Sequence, residues 1–251
     1  MAAASTPAQG GGMRWSRVLL KLSGEAFAGD GSHGVIDYQA VANIAGEVAR
    51  LQQSGVQTAI VIGGGNVMSG QLAEKAGMKR VTADHIGMLG TVVNALALQD
   101  SLERQSIDTR VQTAMPIQTV AEPYINRRAL RHLEKGRVVI LAGGTGNPFF
   151  TTDTAAALRA TEVRAEAILM AKNGTDGVYD KDPRQFPDAV KFDRISFADA
   201  INRRLKVMDL TAMAFCMENN IPIVVFDINV PGNIQRVAEG ASIGTLVSKD
   251  A

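Results

Sequence analysis

A chain of 251 residues, 46% of them apolar, is long enough to bury a substantial core and lies within the size of a single domain. Lys and Arg (26) nearly balance Asp and Glu (25), which excludes a strong basic field for nucleic acid or an anionic membrane, so any phosphate-bearing ligand must be held by local groups. The single cysteine, Cys216, excludes an internal disulfide and fits a reducing compartment.

Residues 1–13, rich in Ala, Gly and Ser, carry no periodic apolar pattern and are expected to be a mobile arm ahead of one domain spanning 14–251. The N-terminus lacks the apolar stretch of a secretory signal, and no apolar run approaches the roughly 20 residues that cross a bilayer, so the expected location is cytoplasmic. Val18–Leu22 then reads as a strand buried on both faces. A helical pattern follows at Val41, Ile44, Ala45, Val48 and Leu51, then a second strand at Ala59–Ile62. Ile86, Leu89, Val93, Leu96 and Leu102 predict a further helix with one apolar face. Arg110–Ala114 is a weaker strand, Val138–Leu141, Ile168–Met170 and Ile223–Phe226 are strong ones, and Leu246–Ser248 is weak again. Met213–Met217 reads as a buried helix. Alternating strands and helices imply right-handed crossovers and a mainly parallel sheet covered on both faces, a three-layer α/β/α sandwich. No repeat or linker divides it.

Ligands of such sheets bind beyond the C-terminal strand ends, where three strands here empty into small residues: Ser23-Gly24, Gly63-Gly64-Gly65-Asn66 and Gly143 onward. Any one cluster is also an ordinary tight turn, but three at one sheet edge suggest backbone N–H groups brought close to a phosphate. No Gly-Lys-Ser/Thr follows a glycine loop, and neither Gly63 to Gly70 nor Gly143 onward satisfies G-x-G-x-x-G, so these turns carry neither a P-loop nor a dinucleotide fingerprint. Lys21 ends the first strand, either as an exposed strand position or as a phosphate contact. In the run Gly143-Gly144-Thr145-Gly146-Asn147-Pro148-Phe149-Phe150-Thr151-Thr152-Asp153, one of the last three residues caps a helix beginning near Thr154, and such an N-terminus also favours anions. Asn173 to Pro183 combines turn residues, Tyr179 and three aspartates. It is either a solvated turn or a purine-binding edge, and its spacing fails the calcium loop because Pro187 stands where the closing Glu is needed.

Lys21-Leu22-Ser23-Gly24-Glu25-Ala26, Val61 to Asn66, Asp84-His85-Ile86-Gly87-Met88, Thr145 to Asp153 and Leu205 to Leu210 resemble, in order and spacing, the bacterial UMP kinases of the amino acid kinase superfamily. The match runs from Arg17 to Ser248. The resemblance implies an amino acid kinase-like fold and transfer of the ATP γ-phosphoryl group to UMP, with Mg²⁺ accompanying ATP and no direct protein ligand to the metal. It also implies a homohexamer activated by GTP and inhibited by UTP. On the ATP side it places Lys21, Leu22, Ser23, Gly24, Gly65, Ser69, Asn173, Tyr179 and Asp182. On the UMP side it places Gly64, Asp84, Thr145, Gly146, Asn147, Pro148, Phe149, Phe150, Thr151 and Thr152. Lys21 would be catalytic, with Asp153 and Asp209 orienting it and the metal shell. Gly29, Asp30, Gly31, Ser32, His33 and Gly34 occupy the place of the family's regulatory loop.

The transfer chiefly requires alignment and charge cancellation, and the attacking UMP oxygen is already anionic, so no general base is needed. The three histidines are accordingly read as non-catalytic: His33 and His132 at the surface, His85 at a helix start. One departure stands out: Ser69 takes the position of an arginine in a Gly-Asn-x-x-Arg-Gly pattern, with Lys79 or Arg80 as the nearby substitutes. Two rival readings are a superfamily kinase for another acceptor (an amino acid, carbamate or isopentenyl phosphate) and a nucleotide-binding or storage protein with weak kinase activity.

Overall fold

The computed structural model describes residues 13–32, 34–68 and 70–250; most of the expected N-terminal arm, His33 and Ser69 lie outside the described residues. In chain order the elements are β1 (Arg17–Leu22), α1 (Tyr38–Gln53), β2 (Gln57–Ile62), α2 (Gly70–Lys75), α3 (Arg80–Glu103), β3 (Thr109–Thr113), β4 (Glu122–Pro123), α4 (Asn126–Glu134) and β5 (Val138–Ala142). There follow α5 (Thr152–Glu162), β6 (Ala167–Lys172), β7 (Val178–Tyr179), β8 (Lys191–Phe192), β9 (Arg194–Ser196), α6 (Phe197–Asn202), α7 (Leu210–Glu218), β10 (Ile223–Asp227), α8 (Asn233–Ala238) and β11 (Thr245–Ser248). Nine strands form one sheet in the order β4-β3-β5-β2-β1-β6-β10-β11-β9, and β7 and β8 form a separate hairpin. Within the large sheet only the β10–β11 pair is antiparallel.

The strand interiors are apolar on both sides because each side meets helices. Along β1, Val18, Leu20 and Leu22 join one core with residues of α1, α3 and α8, while Leu19 joins the other with residues of α4, α5, α6 and α7. The three-layer sandwich is therefore present as expected. Both weak strands form: β3 pairs with β5, and β11 pairs antiparallel with β10. The α1 pattern also holds, since Val41, Ile44, Ala45, Val48 and Leu51 are all buried. Asp37 caps this helix by accepting from the N–H groups of Gln39 and Ala40 at 2.7 and 3.1 Å.

α3 departs from its expected orientation. Of its apolar row, Leu89 and Val93 are exposed and only Leu102 is buried, while the buried side carries Ala83, Met88, Gly90, Thr91, Val92, Asn94, Ala95 and Leu98. The reason is steric. A Cβ on Gly64 would lie 2.2 Å from the Gly87 carbonyl oxygen, and one on Gly90 would lie 2.9 Å from Val67 Cβ. The turn after β2 thus sits on α3 itself, and glycine at 64 and 90 lets the two approach. At 24 residues α3 has the length and apolar content of a membrane span, yet it packs against α1, β3 and β5.

His132 also departs from expectation. It is buried rather than on the surface, with Nε2 3.2 Å from Glu122 Oε2 and Nδ1 3.1 Å from an Arg137 nitrogen. An imidazole between a carboxylate and a guanidinium satisfies both ring nitrogens, which is what burial of a polar ring requires.

Candidate active site

β1 lies between β2 and β6, where successive strands change from one side of the sheet to the other, and a crevice opens at such a point. Side-chain alternation puts Lys21 on the α5 face of β1, and Met170 opposite it in β6 is followed two residues later, on the same face, by Lys172. Two lysines therefore end adjacent strands on one side of the sheet.

The first turn of α5 covers them. Thr151 caps this helix, its hydroxyl accepting from Asp153 N at 3.0 Å and Thr154 N at 3.4 Å, and the run Ala155-Ala156-Ala157 favours helix while packing flush on the sheet. Asp153, in that first turn, approaches Lys21 Nζ to 2.6 Å with its Oδ1. Burial alone would raise the Asp153 pKa, but the charges of Lys21 and Lys172, with the Asp209 backbone N–H, outweigh it and hold the carboxyl below its ordinary value. Burial pulls Lys172 below the usual lysine range; Asp153 opposes this shift and Lys21 adds to it. The cluster carries two cations against one anion, a net positive site suited to phosphate.

Asp209 has a different place from the one expected. It caps α7 by accepting from Ala212 N at 2.8 Å, and it accepts from the hydroxyls of Thr151 and, at 3.0 Å, Thr154. It positions the α5 N-terminus, and with it Asp153, rather than gripping Lys21.

The glycine turns meet beside this cluster. A Cβ on Gly24 would lie 2.6 Å from both Gly65 N and Asn66 Oδ1, so the turn after β1 and the turn after β2 are in direct contact. Ser23 Oγ, buried between them, has no hydrogen-bond partner among the described residues, and a ligand oxygen would complete this cradle. Leu22 contributes only backbone, since its side chain belongs to the core and its carbonyl accepts from Gly63 N at 2.9 Å. Gly65 lies under the Glu25 carboxylate, where a Cβ would meet Oε1 at 2.2 Å.

Two cavities flank the charged cluster. One, of about 220 Å³, is lined by Gly64, Gly65, Asp84, Gly144, Phe150, Thr151 and Thr152 among others. Asp84 reaches into the loop beyond β5, accepting from Phe149 N at 2.7 Å and from Arg80 Nε at 2.9 Å, and the Arg80 guanidinium lies 5.7 Å over the Phe149 ring. Phe149 has φ +73°, a left-handed conformation uncommon outside glycine and of the kind that clusters at functional sites. Of the expected UMP segment, Phe150, Thr151 and Thr152 line this cavity. Thr145, Gly146, Asn147, Pro148 and Phe149 do not, and Thr145 Oγ1 accepts from Asn147 N at 3.2 Å.

The other cavity, of about 390 Å³, is lined by Lys172, Tyr179, Asp182, Arg184, Arg203, Lys206 and their neighbours. Tyr179 donates to Asp176 at 2.6 Å; that bond, with some burial, pushes its hydroxyl up to about 12. Asp182 accepts from Arg184 N at 3.0 Å, shaping the turn. Asn173 is not part of this lining. Its Oδ1 accepts from Asn229 Nδ2 at 2.8 Å, and it faces a third cavity of about 500 Å³ between α1 and the loop after β10. That cavity also touches Gly29, at the start of the expected regulatory loop, where Asp30 accepts from Ser32 N at 2.9 Å.

Sequence reading missed Lys172, Thr154 and the buried Thr91 and Asn94 of α3. Lys172 had a usable signal: it ends the strand next to that of Lys21, on the same face once the register is known.

Among the described residues no three His, Cys, Asp or Glu side chains converge as a metal cage. A divalent cation held chiefly by phosphate oxygens and water fits this donor set, with Asp153 as the nearest carboxylate in the cluster.

A parallel sheet whose central strands present two lysines and a helix-borne carboxylate between two cavities defines a phosphoryl-transfer protein, and the chain belongs to the amino acid kinase family. The sequence pattern described as "Amino acid kinase family" matches residues 16–227. Within that family, it is similar to the uridylate kinase of Streptococcus thermophilus, 57% identical over 238 residues that span 95% of this chain and 97% of the relative. The uridylate kinase of Pediococcus pentosaceus is likewise 57% identical, over 94% of this chain and 97% of its own. The crystal structure of the UMP kinase from Bacillus anthracis matches with a TM-score of 0.91 at 41% identity, covering 94% of this chain and 97% of that one.

Proposed function

We infer that this chain is a UMP kinase, transferring the γ-phosphoryl group of ATP to UMP to give UDP and ADP. The observation that carries the reading is the bridging cluster: Asp153 directly follows Thr152 of the smaller cavity and is coupled electrostatically to Lys172 of the larger. ATP takes the larger cavity, its base and ribose by Tyr179 and Asp182 and its phosphates by Lys21, Ser23, Gly24 and Lys172. UMP takes the smaller one, its phosphate at Gly64 and its ribose at Asp84.

The loose transition state carries negative charge on the transferred group, and Lys21 and Lys172 supply fixed positive charge against it. Asp153 holds the Lys21 ammonium in place, so no reorganisation is required when the charge develops. Mg²⁺ bound to the ATP phosphates supplies further charge neutralisation. The UMP phosphate oxygen attacks as an anion, so no side chain has to remove a proton. Arg80, held on Asp84, supplies a cation on the acceptor side.

Self-association as a homohexamer is part of the proposal, supported by the exposed Val81, Leu89 and Val93 of α3. Activation by GTP, inhibition by UTP, a cytoplasmic site of action and a role in pyrimidine nucleotide biosynthesis complete it. The deciding experiment is ADP release with ATP and Mg²⁺ and with UMP, CMP or dCMP as acceptor. Release with UMP far above the other acceptors is expected; none above background while ATP still binds would overturn the kinase reading.

A further inference from the structure

The buried polar face of α3 has no role assigned so far, although Thr91 is among the residues that line the smaller cavity. Asn94 is fully buried, yet its amide makes three hydrogen bonds. Its Nδ2 donates to the Gly63 carbonyl and to Asn66 Oδ1, both at 2.8 Å, and its Oδ1 accepts from Asn66 Nδ2 at 2.9 Å. Asn66 in turn donates to the Val35 carbonyl at 2.7 Å. One turn earlier on the same helix, Thr91 is equally buried; its hydroxyl accepts from Gly143 N at 2.7 Å and donates to the Met88 carbonyl at 2.6 Å. The two side chains, three residues apart and hence neighbours on one face, each hold a different glycine turn of the acceptor cavity.

Both turns are also pinned sterically. Gly64 rests on the Gly87 carbonyl, and a Cβ on Gly143, at φ +78°, would lie 2.8 Å from Thr113 Oγ1. The turn after β2 and the turn after β5 belong to adjacent strands, but beyond the strand ends no ladder bond fixes their spacing. We propose that Thr91 and Asn94 are positioning residues that use the rigid rise of α3 to set the width of the gap in which the acceptor phosphate is held between the two turns. This rests on the UMP kinase reading for the identity of the acceptor.

A helix suits this role because its hydrogen bonds are internal and its length does not change when substrate arrives. An unpaired buried carbonyl or N–H is costly, so loss of either side chain lets its turn move to find water. For Thr91 the effect should fall on the acceptor, since the lysine cluster on the opposite face of the sheet is untouched; Asn94 also holds Asn66, which packs against Gly24, so its loss reaches the donor turn as well.

The test uses Thr91→Val, which keeps the shape without the hydroxyl, Thr91→Ser, which restores it, and Asn94→Asp, which keeps the acceptor but removes the donor to Gly63. Initial rates are measured with each substrate varied in turn, and UMP binding is followed by calorimetry. Thr91→Val and Asn94→Asp should each raise the KM and Kd for UMP by about tenfold, with the KM for ATP within about twofold for Thr91→Val. Thr91→Ser should return UMP binding to near the parent. A Thr91→Val protein with unchanged UMP affinity, or one that weakens ATP and UMP alike, would overturn the proposal. If the parent transfers no phosphoryl group to UMP, the functional reading fails. The calorimetric comparison then still decides the positioning role.

Discussion

The two ends of this site are built from different physics. Around Lys21 the structure uses charge: a buried lysine, a second, half-buried lysine and a half-buried carboxylate, with the α5 N-terminus and Asp209 holding the anion in place. Around Gly64 it uses absence: side chains are missing where backbone must touch backbone, and neutral hydrogen bonds from α3 fix the rest. A donor triphosphate needs strong, unscreened counter-charge, whereas a monophosphate acceptor must be placed at one distance and angle to attack. The difference suggests that donor-side substitutions act mainly on kcat and acceptor-side substitutions mainly on the KM for UMP.

The largest expected break of that contrast comes from Lys21→Met. Removal of a preorganised charge aimed at the transferred group should lower kcat by about 10²- to 10³-fold with little change in the KM for UMP, read from steady-state rates. A fall confined to UMP affinity would mean that Lys21 belongs to the acceptor end.

Gly64→Ala attacks the other end. The new Cβ meets a helix carbonyl at 2.2 Å, and overpacking of this kind costs about 1–3 kcal/mol. For a chain of this size that is a drop of roughly 2–12 °C in the thermal midpoint, visible by scanning calorimetry, together with a raised KM for UMP. An unchanged midpoint would show that the turn can lift away from α3.

Asp209→Ala tests the link between the ends, because Asp209 ties Thr151, beside the acceptor cavity, to the helix that carries Asp153. Loss of the α7 cap alone costs about 0.5–2 kcal/mol. The expected signature is a moderate fall in both kcat and UMP affinity, where Lys21→Met and Gly64→Ala each change chiefly one.

The smallest effect is in pH dependence. Lys172 has its pKa lowered, so it is charged below that value and loses its proton on the alkaline side sooner than an ordinary lysine. kcat/KM for ATP should decline there, and Lys172→Arg should carry the decline to higher pH. The Asp153 pKa is lowered instead, so its stabilising charge is present above the ordinary carboxylate value and is lost only as pH falls below it. An acid limb near neutrality would therefore not come from Asp153.

Much of this architecture is legible in local sequence. Short Val/Ile/Leu runs separated by helical patterns define the layered sheet, and Gly63 to Gly65 and Gly143 mark the turns, because these are properties of a few consecutive residues. The α3 orientation was not legible in the same way. Its apolar row, Leu89 and Val93 included, looked like the core-facing side, yet the structure buries the side that carries Met88, Val92 and Leu98 together with Gly90, Thr91 and Asn94. Hydrophobic periodicity reports that a helix has an apolar stripe and not which partner covers it. Asn173 illustrates a related limit. It stands next to Lys172, but alternation at a strand end sends neighbouring residues to opposite faces, and Asn229 holds it on the far one.

The sequence by itself determined the alternation of strands and helices, the glycine turns, the cap that starts α5 and the presence of Lys21 and Asp153 near ligand-binding strand ends. The tertiary structure alone decided that Lys172 joins them, that Asp209 serves the helix rather than the lysine, and that α3 turns Thr91 and Asn94 inward. The reason is the range of the forces involved. Propensity, capping and backbone sterics act within a few residues, whereas strand order, register and helix docking bring together groups dozens of residues apart, and no local pattern records which of them will meet.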